Sequence, residues 1–466
     1  MSQEQKRSGN LSRRRFLKSA ISDGVIAPLT ASLWLSGCKG RQPPKSPNVI
    51  LIVLDTTRFD RLGCNGYHRP TSPNIDKLAQ EAVVYTQAIA SSSWTLPSHA
   101  SLFTGKYTYS HGAEYDPQGP LLLLDAIPGP DSWDKYRARG LPQTETTLAE
   151  ILKQQGYAAA AVVGGPWLKK IFGLAKGFDH YDDSEIGSLN GRLASQVTAS
   201  ASKWLAESRS ERFFLFLNYF DPHLPYMPPE GFAEKFLPKD VTPAQAEQST
   251  EGINALYDSE ILYMDHYVGQ LLQKLKSLNL YEKSLIIVTS DHGELLGEHD
   301  KFLHGKYLYQ QELHVPLMVK YPSGEVAAGR TDLRIQLTDI LPMLCSRLGI
   351  DVPPGVQENV PPKIDHPIIA ETYPPPMLSE DGHWRAIFEA DYKFLWNSRG
   401  NHLLFNLKDD PGENTNLIER QPQQAATMVK QLGSFLASLP RPGTAGPVQE
   451  IDQQTKDALK SLGYVK

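Results

Sequence analysis

Three side chains with metal-binding chemistry stand where predicted strands end. Asp55 directly follows an apolar strand, and Asp291 with His292 follows another. Ligands gather at the carboxyl ends of strands in α/β sheets, where an Asp and a His can bind one metal ion together. A turn-capping Asp or a hydrogen-bonded turn is the competing interpretation, and these residues alone leave it open.

A threonine provides a candidate nucleophile in the segment at residues 94–105. Pro97 suits the first position of a helix and Gly105 suits its end, which places Thr95 at the helix N-terminus. The positive end of the helix dipole favours an anion or a developing alkoxide there. A threonine hydroxyl needs a metal or a base to become a nucleophile, and a plain N-cap threonine is the alternative.

The elements that must position these residues predict an α/β fold. Continuous apolar, β-branched runs are typical of strands buried on both faces of a parallel sheet, and amphipathic stretches between them are typical of helices. The predicted strands are 48–54, 158–163, 213–217 and 284–289, and the predicted helices are 75–82, 145–155, 193–207 and 253–278. We therefore expect a mostly parallel sheet sandwiched by helices.

The C-terminal part has a different texture. Alternation of apolar and polar residues predicts exposed antiparallel strands at 384–396 and 402–407, and a helix is predicted at 422–439. We predict a catalytic domain over residues 48–365 and a smaller C-terminal α+β subdomain with a short antiparallel sheet over residues 366–466. Residues 113–142 are rich in Pro, Gly and Asp and predict a long inserted loop, which in a compact domain is usually functional or disordered.

Composition excludes several classes of protein. The chain has 466 residues, of which 40% are apolar and 21% are charged. Such values are ordinary for a globular protein and exclude a coiled coil, collagen and bulk disorder. The net charge of −5 argues against a nucleic-acid partner, and three cysteines cannot build a disulfide framework.

The N-terminus predicts export and lipid anchoring. Residues 1–37 carry six basic and two acidic side chains, and residues 12–18 match the twin-arginine export pattern. A modestly apolar stretch follows, too short to span a bilayer, and it ends in a lipobox-like Leu-Ser-Gly-Cys at 35–38. We expect cleavage before Cys38, lipidation of its thiol, a linker through residue 47, and a periplasmic or cell-surface lipoprotein anchored to a membrane. A basic disordered tail is the alternative.

Several ordered stretches resemble the sulfatase family within the alkaline-phosphatase superfamily. The resemblance covers residues 48–466 and includes NVILIVLDTTRFDRLGCNGY at 48–67, FLFLNYFDPHLPY at 214–226 and SDHGELLGEHDKFLHGKYLYQQELHVP at 290–316. Further matching stretches are 95–105, 336–344, 404–417 and the ending LKSLGYV at 459–465. The resemblance implies an alkaline-phosphatase-like fold and hydrolysis or transfer at a sulfate or phosphate ester.

The chain departs from the family at positions that carry its chemistry. Sulfatases oxidise a Cys or Ser to formylglycine within a Cys/Ser-x-Pro-x-Arg signature, whereas Thr95 and His99 occupy the first and last of those positions here. Threonine cannot form that aldehyde, so no formylglycine is expected. Thr56 replaces the second residue of the family's Asp-Asp pair, which removes one metal carboxylate. The family's Gly-Lys-Trp-His segment, which supplies a Lys and a His to the sulfate, is missing, and AVVGGPWLKK at 161–170 stands roughly in its place.

The retained residues are similar to the other branch of the superfamily, in which a Thr nucleophile shares a divalent metal with two Asp and one His. The resemblance assigns that metal set to Asp55, Thr95, Asp291 and His292. Two carboxylates, one imidazole and one hydroxyl suit Mn²⁺ or Zn²⁺, while Ca²⁺ and Mg²⁺ remain open. In this scheme Thr95 attacks a phosphoryl centre, and water or an alcohol resolves the phosphothreonine.

Two histidines and one further Asp are assigned around this set. Asp221, His223 and His304 either hold a second metal, or the two histidines bind non-bridging oxygens and protonate the leaving group. Weaker candidates for a second metal or for substrate contacts are His99, Lys106, His111 and Lys306. Each of the last three is also expected as a solvated surface side chain.

Three functions compete. The preferred one is a metal-dependent hydrolase or transferase acting through Thr95 on a phosphate ester, of the phosphodiester or phosphoglycerol type. The second is a sulfuric ester hydrolase that works without formylglycine. The third is a non-catalytic family member that binds an anionic glycan or lipid head group. The expected substrate is a small-molecule, lipid-head-group or glycan ester.

Overall fold

The computed structural model describes residues 46–208, 210, 212–323, 325–356, 366–373 and 382–440. The predicted signal sequence, the lipidated Cys38, residues 38–45 of the linker and the ending at 459–465 lie outside the described residues and stay predictions. Among the helices that are described, none is both long enough and apolar enough to cross a bilayer. Cys64 and Cys345 are free thiols.

The described chain alternates strands and helices. The strands are β1 Asn48–Leu54, β2 Val83–Ile89, β3 Glu114–Tyr115, β4 Leu121–Leu122, β5 Arg137–Arg139, β6 Ala158–Val162, β7 His180–Asp182, β8 Phe213–Tyr219, β9 Ser284–Thr289, β10 Leu295–Leu296, β11 Phe302–Leu303, β12 His314–Lys320, β13 Gly329–Gln336, β14 Ile368–Thr372, β15 Trp384–Glu389, β16 Tyr392–Asn397 and β17 Leu403–Asn406. The α-helices are α1 Pro73–Ala79, α2 Thr95–Thr104, α3 Thr108–His111, α4 Leu123–Ala126, α5 Leu148–Gln154, α6 Ala194–Glu207, α7 Pro243–Ala246, α8 Thr250–Ser277, α9 Gln310–Leu313, α10 Ile340–Leu348 and α11 Pro422–Ser438.

Eight strands form the central sheet in the order β13-β2-β12-β9-β1-β8-β6-β7. Strand β1 lies at its centre and pairs in parallel with β8 on one side and β9 on the other. Only β12 runs against its neighbours β2 and β9. The prediction of a mostly parallel sheet is confirmed, and the four predicted strands all belong to it. Strands β2, β7, β12 and β13 were not predicted.

Helices cover both faces of this sheet. Side chains of β1 alternate between two separate buried clusters, with Leu51 in one and Ile52 in the other. The first cluster also contains side chains of α2, α5 and α10, and the second contains side chains of α1, α6 and α8. Because both faces are covered, every residue of β1 is buried, which explains its uninterrupted apolar sequence.

The C-terminal segment forms the predicted small antiparallel sheet, in the order β14-β15-β16-β17. Helix α11 packs against it through Met428 and Leu432, which share a cluster with Ile387 and Phe394 of the sheet. Residues 113–142 differ from the prediction of one long loop, because β3, β5 and β4 pair there as a small antiparallel sheet. Leu121, Leu123 and Ala138 bury that insertion against the main core.

Candidate active site

The carboxyl edge of the central sheet brings the predicted metal ligands together. Asp55 follows the last residue of β1, and Asp291 and His292 lie just beyond the end of β9. Strands β1 and β9 are neighbours with Val53 opposite Thr289, so both ends stop at the same edge. One ligand atom from each of the three side chains lies within 4.8 Å of the other two.

The donor set fits a cation. Asp55, Asp291 and His292 are completely buried, and Oδ1 of Asp55 and Oδ2 of Asp291 accept no hydrogen bond. Buried carboxylate oxygens without partners are strongly unfavourable unless a positive charge faces them. His292 donates from Nδ1 to the carbonyl oxygen of Gly293 at 2.9 Å, which leaves the Nε2 lone pair directed into the cluster.

The electrostatics of the cluster favour a bound cation. Burial raises the pKa of Asp55 well above its usual range, and the charge of Asp291 raises it further. Burial likewise raises the pKa of Asp291 to about 7. The pKa of His292 is lowered by burial and by the nearby charge of His304, so its imidazole is neutral. A divalent metal needs a neutral imidazole and two ionised carboxylates, and its charge would offset the burial that raises the pKa values of Asp55 and Asp291.

Thr95 reaches this cluster from the start of α2. Its Oγ1 lies 3.3 Å from Nε2 of His292. The helix differs from the prediction in one detail, because Trp94 is the N-cap and Thr95 is already the first helical residue, which makes Pro97 the third. Gly105 ends the helix with a positive φ of 66°, as predicted. Ser98 on the same helix donates from Oγ to the carbonyl oxygen of Asp291 at 2.6 Å and ties α2 to the site.

Two residues at departures from the family signature are held by backbone carbonyl oxygens, and Nδ1 of His99 also lies 3.4 Å from Oδ2 of Asp291. Thr56 has a positive φ of 51°, and its hydroxyl donates to the carbonyl oxygen of Pro222. His99 donates from Nδ1 to the carbonyl oxygen of Thr95 at 2.9 Å, while its buried Nε2 has no partner. Burial lowers the pKa of His99 to about 4, so it is neutral and supports Thr95 rather than offering a positive charge.

A second group of histidines lies beside the cluster. The ring of His304 is 4.5 Å from that of His292 and 5.1 Å from that of His223. His304 donates from Nδ1 to Oε1 of Glu294 at 3.0 Å. Burial opposes a charge on His304, yet the carboxylate of Glu294 outweighs it and raises the pKa of His304. His223 donates from Nδ1 to the carbonyl oxygen of Leu224, and burial lowers its pKa to about 3.

The remaining candidates are held elsewhere. Asp221 accepts a hydrogen bond from the backbone of Ala194 at the start of α6, and burial raises its pKa to about 7. Lys106 pairs with Glu145 at 2.6 Å, and Lys306 lies over the ring of Tyr307. The expectation of a solvated surface His111 is wrong, because its side chain is completely buried and its Nε2 lies 3.0 Å from Oγ of Ser101.

The sequence analysis did not identify two residues of the site. Asn218 on β8 donates from Nδ2 to Oδ2 of Asp55 at 3.0 Å and thereby orients that carboxylate. A polar residue near the end of a buried apolar strand was the available signal. Glu294 is completely buried, and its carboxylate lies 3.0 Å from His304. In the sequence it stands two residues after His292 and looks like an ordinary charged residue of a loop.

Comparison with known proteins identifies the family. The model of the family described as Sulfatase matches residues 47–350, well over half of the chain. The chain belongs to the sulfatase family. It is therefore a sulfatase-family hydrolase, and members of this family bind a divalent metal. The fold and the three buried ligands at its carboxyl edge agree with that membership.

Relatives of this sulfatase-family chain span most of its length. It is 25% identical to an ulvan-active sulfatase of Formosa agariphila, with 86% of this chain and 85% of the relative covered. It is 23% identical to human arylsulfatase K, with 88% and 87% covered. The structure of phosphonate monoester hydrolase from Agrobacterium radiobacter superposes with a TM-score of 0.66 at 21% identity, covering 84% of this chain and 95% of that one. A structure in complex with the substrate D-glucosamine-2-N,6-O-disulfate superposes with a TM-score of 0.68 at 17% identity, covering 87% and 100%.

Proposed function

We propose that this sulfatase-family chain is a metal-dependent hydrolase of phosphate esters that uses Thr95 as its nucleophile. The observation that carries the proposal is the 3.3 Å separation between Oγ1 of Thr95 and Nε2 of His292, a member of the buried ligand cluster. A hydroxyl at the start of a helix and beside a metal site has the environment that a threonine nucleophile requires.

Asp55, Asp291 and His292 would hold the divalent ion, with Mn²⁺ or Zn²⁺ preferred and Ca²⁺ or Mg²⁺ as alternatives. When bound, such an ion lowers the pKa of a neighbouring hydroxyl and offsets charge on phosphoryl oxygens. His99 holds the carbonyl oxygen of Thr95, so the first turn of α2 presents the hydroxyl in one orientation. A formylglycine plays no part, because residue 95 is a threonine.

His304 supplies the proton. Its Nδ1 is committed to Glu294, which leaves Nε2 to carry the exchangeable proton, and the raised pKa keeps that proton near neutral pH. Ionised Thr95 forms the Oγ1–P bond while the P–O bond to the alcohol breaks, and the alcohol takes the proton from His304. Water then gives its hydroxyl to phosphorus and its proton to Nε2, which releases phosphate and restores ionised Thr95.

A sulfate ester is the second candidate substrate. Relatives include an ulvan-active sulfatase, and a structural neighbour was solved with a disulfated glucosamine. The structural neighbour named as a phosphonate monoester hydrolase supports the phosphorus alternative. The neutral His99 decides our preference, because it stands where the family signature has an arginine and contributes no positive charge toward a sulfate.

The test compares esters and variants. Metal-stripped protein reloaded with Mn²⁺, Zn²⁺, Ca²⁺ or Mg²⁺ is assayed on an aryl phosphate, a phosphodiester, a phosphonate monoester and an aryl sulfate. Thr95→Ala should lower turnover by about 10⁴-fold or more, and Thr95→Ser should retain part of it. Thr104→Ala, at the far end of the same helix, is the matched control. Full activity in Thr95→Ala, or faster turnover of sulfate than of every phosphorus ester, would refute the proposal.

We also propose that the protein is an exported lipoprotein, which rests on the sequence of residues 1–38. Two anchoring chains or more hold a protein stably at a membrane. In cell fractionation the wild-type protein should sediment with membranes and Cys38→Ala should be soluble. Replacing Arg13 and Arg14 by Lys should retain the precursor inside the cell, and mature protein in that variant would exclude twin-arginine export.

A further inference from the structure

Seven large apolar side chains are exposed to solvent in the described part of the chain. Four of them lie within four residues of His223 or His304 in the sequence, and a fifth, Leu193, precedes Ala194, whose backbone donates to Asp221. These five, called the apolar rim below, are Leu193 at 40% exposed, Leu224 at 42%, Met227 at 60%, Phe302 at 45% and Leu303 at 38%. The other two, Val326 and Val429, are distant in sequence from any site residue. Scattered apolar residues on a surface need no explanation, but a clustered set marks a binding surface.

Contacts join one half of the apolar rim to the site. The carbonyl oxygen of Leu224 accepts the hydrogen bond from Nδ1 of His223 at 2.7 Å. Met227 lies against Asn190, whose Nδ2 is 3.7 Å from its sulfur. Leu193 directly precedes Ala194, which donates to Asp221 at 2.8 Å. These apolar side chains therefore border the loop that carries His223.

The other half of the apolar rim precedes His304. Phe302 and Leu303 form β11, which pairs with β10 in a short hairpin, and both side chains are exposed. The ring of His304 is 5.1 Å from the ring of His223, so the histidines that adjoin the two halves lie side by side. The two halves therefore flank these histidines along the chain, and His304 faces the alcohol part of the ester in the proposed reaction.

The hairpin holds its apolar residues outward against a local cost. His299, Asp300 and Leu303 have φ values of 55°, 56° and 74°, in the left-handed region that non-glycine residues avoid. A strained segment that exposes apolar side chains next to reacting groups indicates a functional constraint rather than a packing one.

We propose that the apolar rim binds the alcohol part of the substrate, so that the natural ester carries an alkyl or aryl group of several carbons. The substrate class is then a water-soluble phosphate ester with an apolar alcohol group, rather than a polar glycan ester. This inference rests on the proposed function for the identity of the ester, but the binding surface itself can be tested without turnover. Each methylene that leaves water strengthens binding by roughly two- to fourfold.

The experiment measures binding of alkylphosphonates, from methyl to octyl, to the Mn²⁺-loaded protein by calorimetry below their micelle concentrations. These probes have no ester bond, so they report the surface even if no ester is hydrolysed. The expected result is a Kd that falls by roughly two- to fourfold per methylene over the first several carbons. Turnover of the matching alkyl phosphates, in which the alkyl alcohol is the leaving group, is measured in parallel by phosphate release and should rise in kcat/KM with the same slope.

Variants of rim residues test whether the apolar rim causes the dependence of Kd on chain length. Met227→Ser and Phe302→Ser, singly and together, should flatten the dependence of Kd on chain length, and the change in Kd should be smallest for methylphosphonate, whose chain is shortest. Val429→Ser removes an equally exposed apolar side chain away from the site and should retain the wild-type slope. A Kd independent of chain length, or an unchanged slope in the double variant, would overturn the apolar-rim proposal. Absence of turnover with an intact binding slope would instead overturn the proposed function alone.

Discussion

Carboxylate oxygens of Asp55 and Asp291 lie within 4.8 Å of each other at the ends of two adjacent strands, and neither side chain is exposed. Burial raises the pKa of both carboxyl groups, and the charge of Asp291 raises the pKa of Asp55 further. One oxygen on each side chain has no hydrogen bond. A divalent cation between them removes this repulsion. Because it binds the folded state, it stabilises the protein by mass action.

Metal binding should therefore appear as stabilisation. Adding Mn²⁺ to the metal-stripped protein at 100 times Kd should add about 2.7 kcal/mol to the unfolding free energy, seen as a rise in Tm. Asp55→Asn should abolish most of that rise, because the amide replaces a charged ligand. Asp240→Asn, at an exposed carboxylate, should keep it. Equal Tm shifts in the two variants would place the metal elsewhere.

The replacement of the signature arginine by His99 gives a second prediction. His99→Arg, although it restores the family's residue type, should destabilise the metal-loaded protein by about 3 kcal/mol. It puts a permanent charge into a completely buried position against Phe103 and Phe216, where the nearby carboxylate of Asp291, 3.4 Å from His99, is already engaged by the metal. His99→Gln is the neutral control and should lose about 1 kcal/mol. Urea unfolding of the wild-type protein and the two variants measures these losses of unfolding free energy. Equal stability of the Arg and Gln variants would show that the charge at position 99 is not destabilising.

Periodicity predicted the elements that carry the site but only part of their arrangement. The apolar runs ending at Leu54 and Thr289 were recognisable as buried strands because both faces of the sheet are covered. Strand β12, which starts at His314 and runs antiparallel between β9 and β2, was missed. Pro316 interrupts its apolar sequence, and a proline argues against the interior of a central strand. Strand ends could be predicted as ligand positions, whereas the adjacency of β1 and β9 could not.

Side-chain burial explains the other differences in the site. His111 and Lys106 look alike in the sequence as polar residues after a helix, yet one is completely buried and the other pairs with Glu145. Glu294 became a site residue only because the fold places it 3.0 Å from His304. Such pairings depend on tertiary contacts, and local propensity carries no information about them.

A third prediction concerns the ion pair between Lys393 on β16 and Glu413, whose charged atoms lie 2.7 Å apart with neither side chain exposed. Glu413 also accepts a hydrogen bond from the backbone of Gln310 at 2.6 Å, so the pair connects the C-terminal sheet to the segment that follows His304. Lys393→Met leaves an uncompensated buried carboxylate and should cost about 3–5 kcal/mol of unfolding free energy.

The controls for this pair use the same subdomain. Lys408→Met removes an exposed lysine and should change stability by less than about 0.5 kcal/mol. The double variant Lys393→Met with Glu413→Gln should recover part of the loss, because the amide oxygen still accepts from Gln310 without an unpaired charge. Chemical denaturation gives all three values, and a double variant less stable than Lys393→Met would show that the carboxylate is not the source of the loss.

The pH dependence of stability gives a fourth prediction at His366, whose Nε2 donates to Oδ1 of Asp339 at 2.6 Å while Nδ1 donates to the carbonyl oxygen of Pro367. Burial opposes the imidazolium, but the hydrogen bond and charge of Asp339 outweigh it, so the pKa of His366 is raised. A raised folded-state pKa means that the folded protein binds the proton more tightly than the unfolded chain. The stabilisation is therefore fully present below about pH 6.5 and is lost as the pH rises through the folded-state pKa.

Comparing unfolding free energies across pH isolates this contribution. The loss of stability in His366→Asn should be larger at pH 5.5 than at pH 9. Asp339→Asn removes the partner that raises the pKa of His366, so adding His366→Asn to that background should produce a loss that no longer shrinks as the pH rises. Tyr107, whose hydroxyl lies 2.8 Å from Nδ1 of His366, remains in every variant and keeps the surroundings constant. A loss in His366→Asn that grows toward pH 9 would mean that the neutral imidazole, rather than the imidazolium, is the form that stabilises the fold.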